Sequence, residues 1–378
     1  MSYKKLSELV HLVDIKNTDC KVTRVIGVSI TKNFIPSVAN LNGVDLTKYN
    51  LIKKNQFACK LMSVGRDLQL PIDLYKEDDL ALISSAYYVF EVKDENEILP
   101  DYLNMWFRRK ETDRWVGYIS GGDVRGGISW DMFLEMEVNV PSIEKQREIV
   151  AQYQAVANKI KVNEQICEKL DLVCKNLYKD IISNNNIIIL NDLCELITDG
   201  KHGDCEDSVN SGFYFLSAKD IRNDTLIYKD ARQITENDFL QTHKRTNLKP
   251  GDICIVSTGA TIGRVSIAPD SEITFKTTFQ KSVALLKPSN KIYSLYLFYF
   301  IKSNEQLLRE MASGTSQTNL LLGDLRNMEI NSIDFQTLTN FNSKVEPLFL
   351  RKQFFVNQNQ KLTQLQSLLL SRLATLEG

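Results

Sequence analysis

From Ile149 onward, mostly apolar side chains recur at alternating spacings of four and three: Ile149, Tyr153, Val156, Ile160, Asn163, Cys167, Leu170, Cys174, Leu177 and Ile181. The same register returns 192 residues later as Phe341, Val345, Leu348, Lys352, Phe355, Asn359, Leu362, Gln366, Leu369 and Leu373. Heptad-like spacing of this kind predicts two long helices with apolar seams, read as a coiled-coil pair. Each would run about forty residues and reach on the order of 60 Å at 1.5 Å per residue, too long for one small domain. Ser142 and Asp334 stand at the expected N-cap positions. Asn163 and Lys352 interrupt the seams. A polar residue there either fixes register and partner at a cost in stability, or marks a place where the seam opens to solvent.

The pattern outside the helices is also written twice. Leu6, Leu9 and Leu12 of KKLSELVHLVD match Leu190, Leu193 and Leu196 of IILNDLCELITD, and SVGR (Ser63–Arg66) matches TIGR (Thr261–Arg264). LPDYLNMWF (Leu99–Phe107) matches YSLYLFYF (Tyr293–Phe300), and SGGDVRGGISWDMF (Ser120–Phe133) aligns with SGTSQTNLLLGDL (Ser313–Leu325). Short strands are predicted around Phe57–Met62, Ala86–Val92, Asp252–Ser257, Gly263–Ala268 and Ser282–Leu286. An amphipathic helix is predicted near Leu99–Trp115 and another near Tyr293–Met311. The fold class is therefore mixed α+β, with a pseudo-twofold internal repeat. The expected parts are 1–141, a long helix at 142–184, 185–333 after the NNN linker, and a second long helix at 334–378.

Composition adds limits. The 378 residues hold 46 basic and 47 acidic side chains and 43% hydrophobic residues, the balance of a globular protein without a membrane span. No apolar segment follows MSYKKLSEL, so no secretory signal is expected. Seven scattered cysteines fit reduced thiols in a cytoplasm better than a disulfide framework, and three histidines make a structural zinc improbable. A net charge of −1 argues against coating nucleic acid by bulk charge, yet leaves room for a reader with one basic face.

Catalytic patterns are mostly missing. GDICIVSTGATIGR (Gly251–Arg264) lacks the spacing and the Lys-Ser/Thr pair of a phosphate-binding Walker loop. No GxGxxG, HExxH or GxSxG occurs, and no Pro-Pro that an amino-methyltransferase tetrad would need. Asp73, Glu91 and Lys93 loosely suggest a metal-dependent nuclease, at a spacing too permissive to carry weight.

Loops suited to reading DNA are present in both halves, since base edges and phosphates call for Arg, Lys, Asn, Gln, Ser and Thr on accessible backbone. SGGDVRGG offers Arg125, and SGTSQTN offers Thr315, Gln317 and Asn319. TDGKHGD offers Lys201 and His202, LSAKDIRND offers Lys219 and Arg222, and THKRTNLKPGD offers Lys244 and Arg245. Thr258, Thr261 and Arg264 lie on the glycine turn, with Arg66 at the matching place in the first half. No catalytic or metal-binding residue is nominated.

The duplicated plan, LSAKDI, LKPGDICIVSTGATIGRV, SGTSQTNL and VPSIEKQREIV before a helix together resemble the specificity subunit of type I restriction-modification systems. In the first half IKKNQF and SVGRDLQLPI replace the corresponding motifs, a divergent variant of the same domain. The resemblance implies two tandem target recognition domains, each reading one half of a bipartite double-stranded DNA site. It implies an antiparallel coiled coil setting their separation, and docking of methylation subunits, two in number, and of restriction subunits. S-adenosylmethionine and ATP with magnesium would sit on those partners and none on this chain. A recognition subunit of a modification-only or two-subunit system, and a duplicated interaction scaffold that touches no DNA, are the competing expectations.

Overall fold

The computed structural model describes residues 3–62, 64–121, 126–182, 186–314 and 318–374. It divides into two compact units, Met1–Lys161 with Asn359–Gly378, and Val162–Gln358. The two long helices, Ile143–Ile181 and Phe335–Arg372, thus each contribute to both units.

In the first unit a four-stranded antiparallel sheet has the order Val10–Leu12, Tyr88–Val92, Phe57–Cys59, Ile72–Leu74. Leu6, Phe57, Phe90, Phe107 and Phe133 form its core beneath Pro100–Phe107. A second sheet orders Phe34–Pro36, Val25–Val28, Ala81–Ile83 and Asn50–Ile52. Tyr3–Lys5 pairs with Glu137–Asn139 at the base.

The second unit has a four-stranded antiparallel sheet of the same connectivity: Cys194–Asp199, Val283–Pro288, Ile253–Val256, Val265–Ile267. Its apolar positions bury Ile253, Ile255, Ala284 and Leu286 against Tyr296–Ile301 on one face. Cys254, Val256 and Leu285 face Leu216 and Phe279 on the other. A sheet covered on both sides loses the period-two alternation, which is why ICIV reads as a continuous apolar run. Tyr214–Leu216 and Thr277–Phe279 pair in parallel beside it, and Ile187–Ile189 pairs with Glu329–Asn331.

Three expectations are corrected. The helix near Leu99–Trp115 is two, Pro100–Phe107 and Lys110–Ile119. Arg109 between them turns extended, and its buried guanidinium covers the Trp106 ring at 4.0 Å. The helix near Tyr293–Met311 is likewise Ser294–Ser303 and Glu305–Met311, because the Asn304 side chain folds back onto Phe300 O at 2.8 Å. The equation of SVGR with TIGR also fails. Val256 N bonds to Arg264 O in the second unit, whereas Lys60 N bonds to Pro71 O in the first. Arg264 therefore occupies the ladder position of Pro71, and Arg66 sits instead on a helical turn, Val64–Asp67.

Along the long helices, Ile149, Tyr153, Val156, Ile160, Leu170, Leu177, Phe341, Val345, Leu348, Phe355, Leu362 and Leu369 are all buried or half-buried. Within the second unit Tyr178 packs on Phe341, and Asn163 Nδ2 donates to Gln358 Oε1 at 2.7 Å. Within the first, Asn359 Nδ2 donates to Ile160 O at 3.2 Å. Rising numbers on one helix meet falling numbers on the other.

The polar interruptions do not open to solvent. Asn163 is 0% exposed and Lys352 is 7% exposed. Lys352 and Lys302 both bond to Asp171 Oδ1 at 2.7 Å and to Asp224. Burial alone would raise the Asp171 carboxyl, but the ammoniums of Lys302 and Lys352 outweigh it and hold it at about 2. This joins both long helices to the turn after Ile221–Arg222 through charged groups that have left water together.

Removing one member of such a cluster leaves an uncompensated buried charge, so Lys352→Ala is expected to destabilise the second unit by roughly 3–5 kcal/mol in chemical denaturation. The Asp171 contribution has a depressed folded-state pKa, so it is complete above the unfolded carboxyl value and lost as pH falls from about 4 to about 2. In acid titration of stability, the gap between the wild type and Asp171→Asn should be constant above that window and close as pH falls through it.

Candidate nucleic-acid interface

The ends of all four strands in the second unit's main sheet present loops on one side: 200–202 after Cys194–Asp199, 257–264 between Ile253–Val256 and Val265–Ile267, and 280–282 before Val283–Pro288. Backbone bonds weld these loops together. Lys201 N donates to Phe279 O (2.8 Å), Lys281 N to Lys201 O (3.0 Å) and Ser257 N to Ser282 O (2.9 Å). Gln280 N reaches Leu216 O, and Ala218 N reaches Ser282 Oγ at 3.2 Å, bringing in the segment that carries Lys219 and Arg222. Gly200 makes this possible. A Cβ there would lie 2.1 Å from Phe279 O and 2.3 Å from Gln280 O, so no other residue admits so close an approach.

The two loops singled out for glycine and polar content dock on one another. Gly259 N donates to Thr318 O (3.0 Å), Leu320 N to Ser257 O (2.8 Å), and the Thr258 hydroxyl to Asn319 Oδ1 (2.9 Å). Gly263, at φ +89° with Glu305 packed over it, closes the turn through N–H donation to Val256 O. The amides of Gly259, Ile262 and Gly263 are therefore engaged within the protein. An anion-cradling loop needs such amides unengaged, so the loop is a frame for its neighbours. Thr258, buried and bonded to Asn319, belongs to that frame. Thr261 is half-buried and Arg264 exposed on its outer side.

The nominated cations occupy the same end and its flank. Lys219, Arg222 and Lys244 are exposed. Arg222 Nε donates to Lys219 O at 2.6 Å, which fixes its direction. Lys201 Nζ lies 3.4 Å from Asp238 on the helix Glu236–Thr246. At the end of that helix, Arg245 pairs with Asp199, whose other oxygen accepts from His202 Nε2 at 2.7 Å. A buried Lys287–Asp252 pair, with Lys287 Nζ donating to Asn247 O at 2.8 Å, anchors the left-handed cap of this helix. Sequence reasoning missed Lys281, an exposed cation in the middle of the loop cluster. Its only signal is a Lys directly before a buried strand.

The first unit repeats the docking with different residues. Gly65 N donates to Gly126 O (3.0 Å) and Ile128 N to Leu61 O (3.2 Å), where the second unit uses Gly259 with Thr318 and Leu320 with Ser257. Arg66 is exposed and pairs with its neighbour Asp67 through Nε at 2.8 Å. Arg125, Thr315 and Gln317 lie outside the described residues.

The nuclease pattern does not assemble. Asp73 accepts from Arg108 at 2.6 Å and Asn104 at 3.2 Å, Glu91 from Gln56 at 2.9 Å, and Lys93 Nζ donates to Ser7 O at 2.7 Å. Each has separate partners, and no cluster of three or more potential metal ligands occurs among the described residues. Among the same residues no helix is long and apolar enough to cross a membrane.

No curated protein matches the sequence. Residues 183–332 match the family described as type I restriction modification DNA specificity domain. Among solved structures, the chain is similar to the type I restriction-modification system S subunit from M. genitalium, at TM-score 0.60 and 13% identity, covering 98% of this chain and 95% of that one. It also aligns with a structure described for complex assembly and conformational transition of the type I R-M system (TM-score 0.45, 15% identity, 98% and 97% covered). The HsdS subunit from Thermoanaerobacter tengcongensis aligns at TM-score 0.36 and 14% identity, with 98% and 96% covered. Residues 183–332, which hold the second unit's loops and main sheet, thus match the type I restriction modification DNA specificity domain, and the chain shares the fold of a type I restriction-modification S subunit over nearly its whole length.

Proposed function

We propose that this protein is the sequence-specific DNA-binding specificity subunit of a type I restriction-modification complex. It reads a bipartite duplex target and directs adenine methylation and restriction by partner subunits. The observation that carries this reading is the convergence of loops 200–202, 217–222, 257–264 and 280–282 with residues 318–319 at one end of the second unit's sheet. Their exposed side chains are cations and hydrogen-bond donors, the chemistry that phosphates and base edges require.

The remaining parts follow from that assignment. Residues 1–141 and 185–333 are the two target recognition domains, related by the pseudo-twofold repeat, and 142–184 and 334–378 are the helices that connect them. These helices form an antiparallel coiled coil that acts as a ruler, and buried pairs such as Asn163–Gln358 set its register. Two methylation subunits and the restriction subunits assemble on this scaffold in the cytoplasm. They carry S-adenosylmethionine, ATP and magnesium, and they perform the chemistry. Base extrusion and methylation are theirs, and this chain contributes no catalytic group.

Two outcomes test this reading. Inserting one heptad in each long helix adds about 10 Å of helix, equivalent to about three base pairs at 3.4 Å per step. The methylated motif should keep both half-sites and lengthen its unread spacer accordingly; an unchanged spacer would refute the ruler. Separately, Gln317→Ala is expected to relax one position of one half-site in duplex binding by the complex with methylation subunits. A uniform loss over all sequences would reassign Gln317 to the phosphate backbone.

A further inference from the structure

Arg245 and Lys244 are adjacent cations at the end of one helix, yet their surroundings differ. Lys244 extends from the exposed face. Arg245 is half-exposed, at 50%, and its guanidinium is held from behind: one terminal nitrogen donates to Asp199 Oδ1, and Nε donates to Thr198 Oγ1 at 3.3 Å. Asp199 is only 13% exposed, and its second oxygen accepts from His202 Nε2 at 2.7 Å. Asp199 is the last residue of its strand and Gly200 begins the welded loop, so the carboxylate that collects both partners is itself held in place.

Donor arithmetic shows what is left over. A guanidinium has five N–H groups. Nε–H and one hydrogen of the second terminal nitrogen point inward, leaving both hydrogens of Nη1 and the other hydrogen of Nη2. One hydrogen of each terminal nitrogen forms the end-on fork whose spacing matches two acceptors on one rigid edge. In the DNA major groove that edge is guanine, with O6 and N7 side by side. A phosphate is the competing ligand for any arginine. Here the carboxylate of Asp199 offsets the positive charge and would repel a phosphate brought to the same place, whereas the acceptor pair of a neutral base needs the aimed fork more than the net charge. His202 shares the carboxylate and stands beside the fork as a second aimed group.

We infer that Arg245, oriented by the Asp199 carboxylate and Thr198 hydroxyl, reads a guanine in the half-site recognised by the second unit, with Asp199 as the positioning residue and Lys244 as a neighbouring backbone contact. This deepens the DNA-recognition reading above and rests on it.

The test uses the full chain in complex with its methylation subunits. The preferred duplex is first selected from a randomised library, and every single-base-pair variant of it is then measured across a salt series. Arg245→Ala should abolish discrimination at one G·C position, by about tenfold or more, while the other positions keep their preferences. Arg245→Lys should do the same, because it keeps the charge and loses the fork. Asp199→Asn should weaken discrimination at that same position. Lys244→Ala should lower affinity for every sequence alike and make the salt slope shallower by about one. The inference is overturned if Arg245→Ala behaves as Lys244→Ala is expected to, or if Arg245→Lys retains full discrimination. Thermal melting of each variant complex separates either result from misfolding: an Arg245→Ala effect traced to unfolding leaves Arg245→Lys as the deciding variant. A wild-type complex that selects no sequence from the library overturns the DNA-recognition reading itself, and this inference with it.

Discussion

The close approach of Gly200 to Phe279 and Gln280 is the contact on which the second unit's loop surface depends. With no Cβ in the way, the chain turns out of the Cys194–Asp199 strand and pairs Lys201 in parallel with Gln280. From that pairing the bonds run outward to Leu216, Ser282, Ser257 and, through the glycine turn, to Thr318 and Asn319. Loops held by backbone bonds to one another lose little further freedom when a ligand binds, which is the condition for side chains on them to discriminate. In the first unit a glycine makes a different close approach: the absent Cβ of Gly127, at the place of Asn319 in the docked loops, would fall 2.6 Å from Leu61 O.

The long helices meet a different constraint. Leucine-like seams alone tolerate slippage by a heptad, since one apolar layer resembles the next. Asn163 against Gln358 and the Lys352–Asp171–Asp224–Lys302 cluster differ from every other layer. A shifted register would bury each of these groups without a partner, at a cost of several kcal/mol. The cluster also includes Asp224, from the turn between Ile221–Arg222 and Thr225–Leu226. One set of ion pairs therefore fixes both the helix alignment and the seat of the Asp224 turn upon it.

Much of this was legible in the residues. Alternating four and three spacings placed both long helices, because a buried seam leaves a period that no loop can imitate. The strands around ICIV and SVALL followed from short apolar runs bounded by glycine and proline. What the sequence could not supply were contacts made by separate segments. Nothing in KPGD or VALLK reveals that Asp252 and Lys287 form a buried pair, and nothing near Asp199 announces that it collects Arg245 and His202. The SVGR–TIGR equation misled for a related reason: two identical and two similar residues outweighed the longer chain between Lys60 and Pro71, which only the ladder bonds reveal. The helix breaks at Arg109 and Asn304 were hidden because each depends on one side chain folding onto a neighbour.

The central claim is that this chain chooses the DNA sequence on which partner subunits act. Its most direct test is single-molecule sequencing of adenine methylation in cells with and without an intact copy of the gene. The account predicts that deletion removes one methylated motif made of two short half-sites separated by a fixed unread spacer, and that restoring the gene restores it. A methylome that retains every motif after deletion in cells whose methylation subunits are expressed would contradict the account.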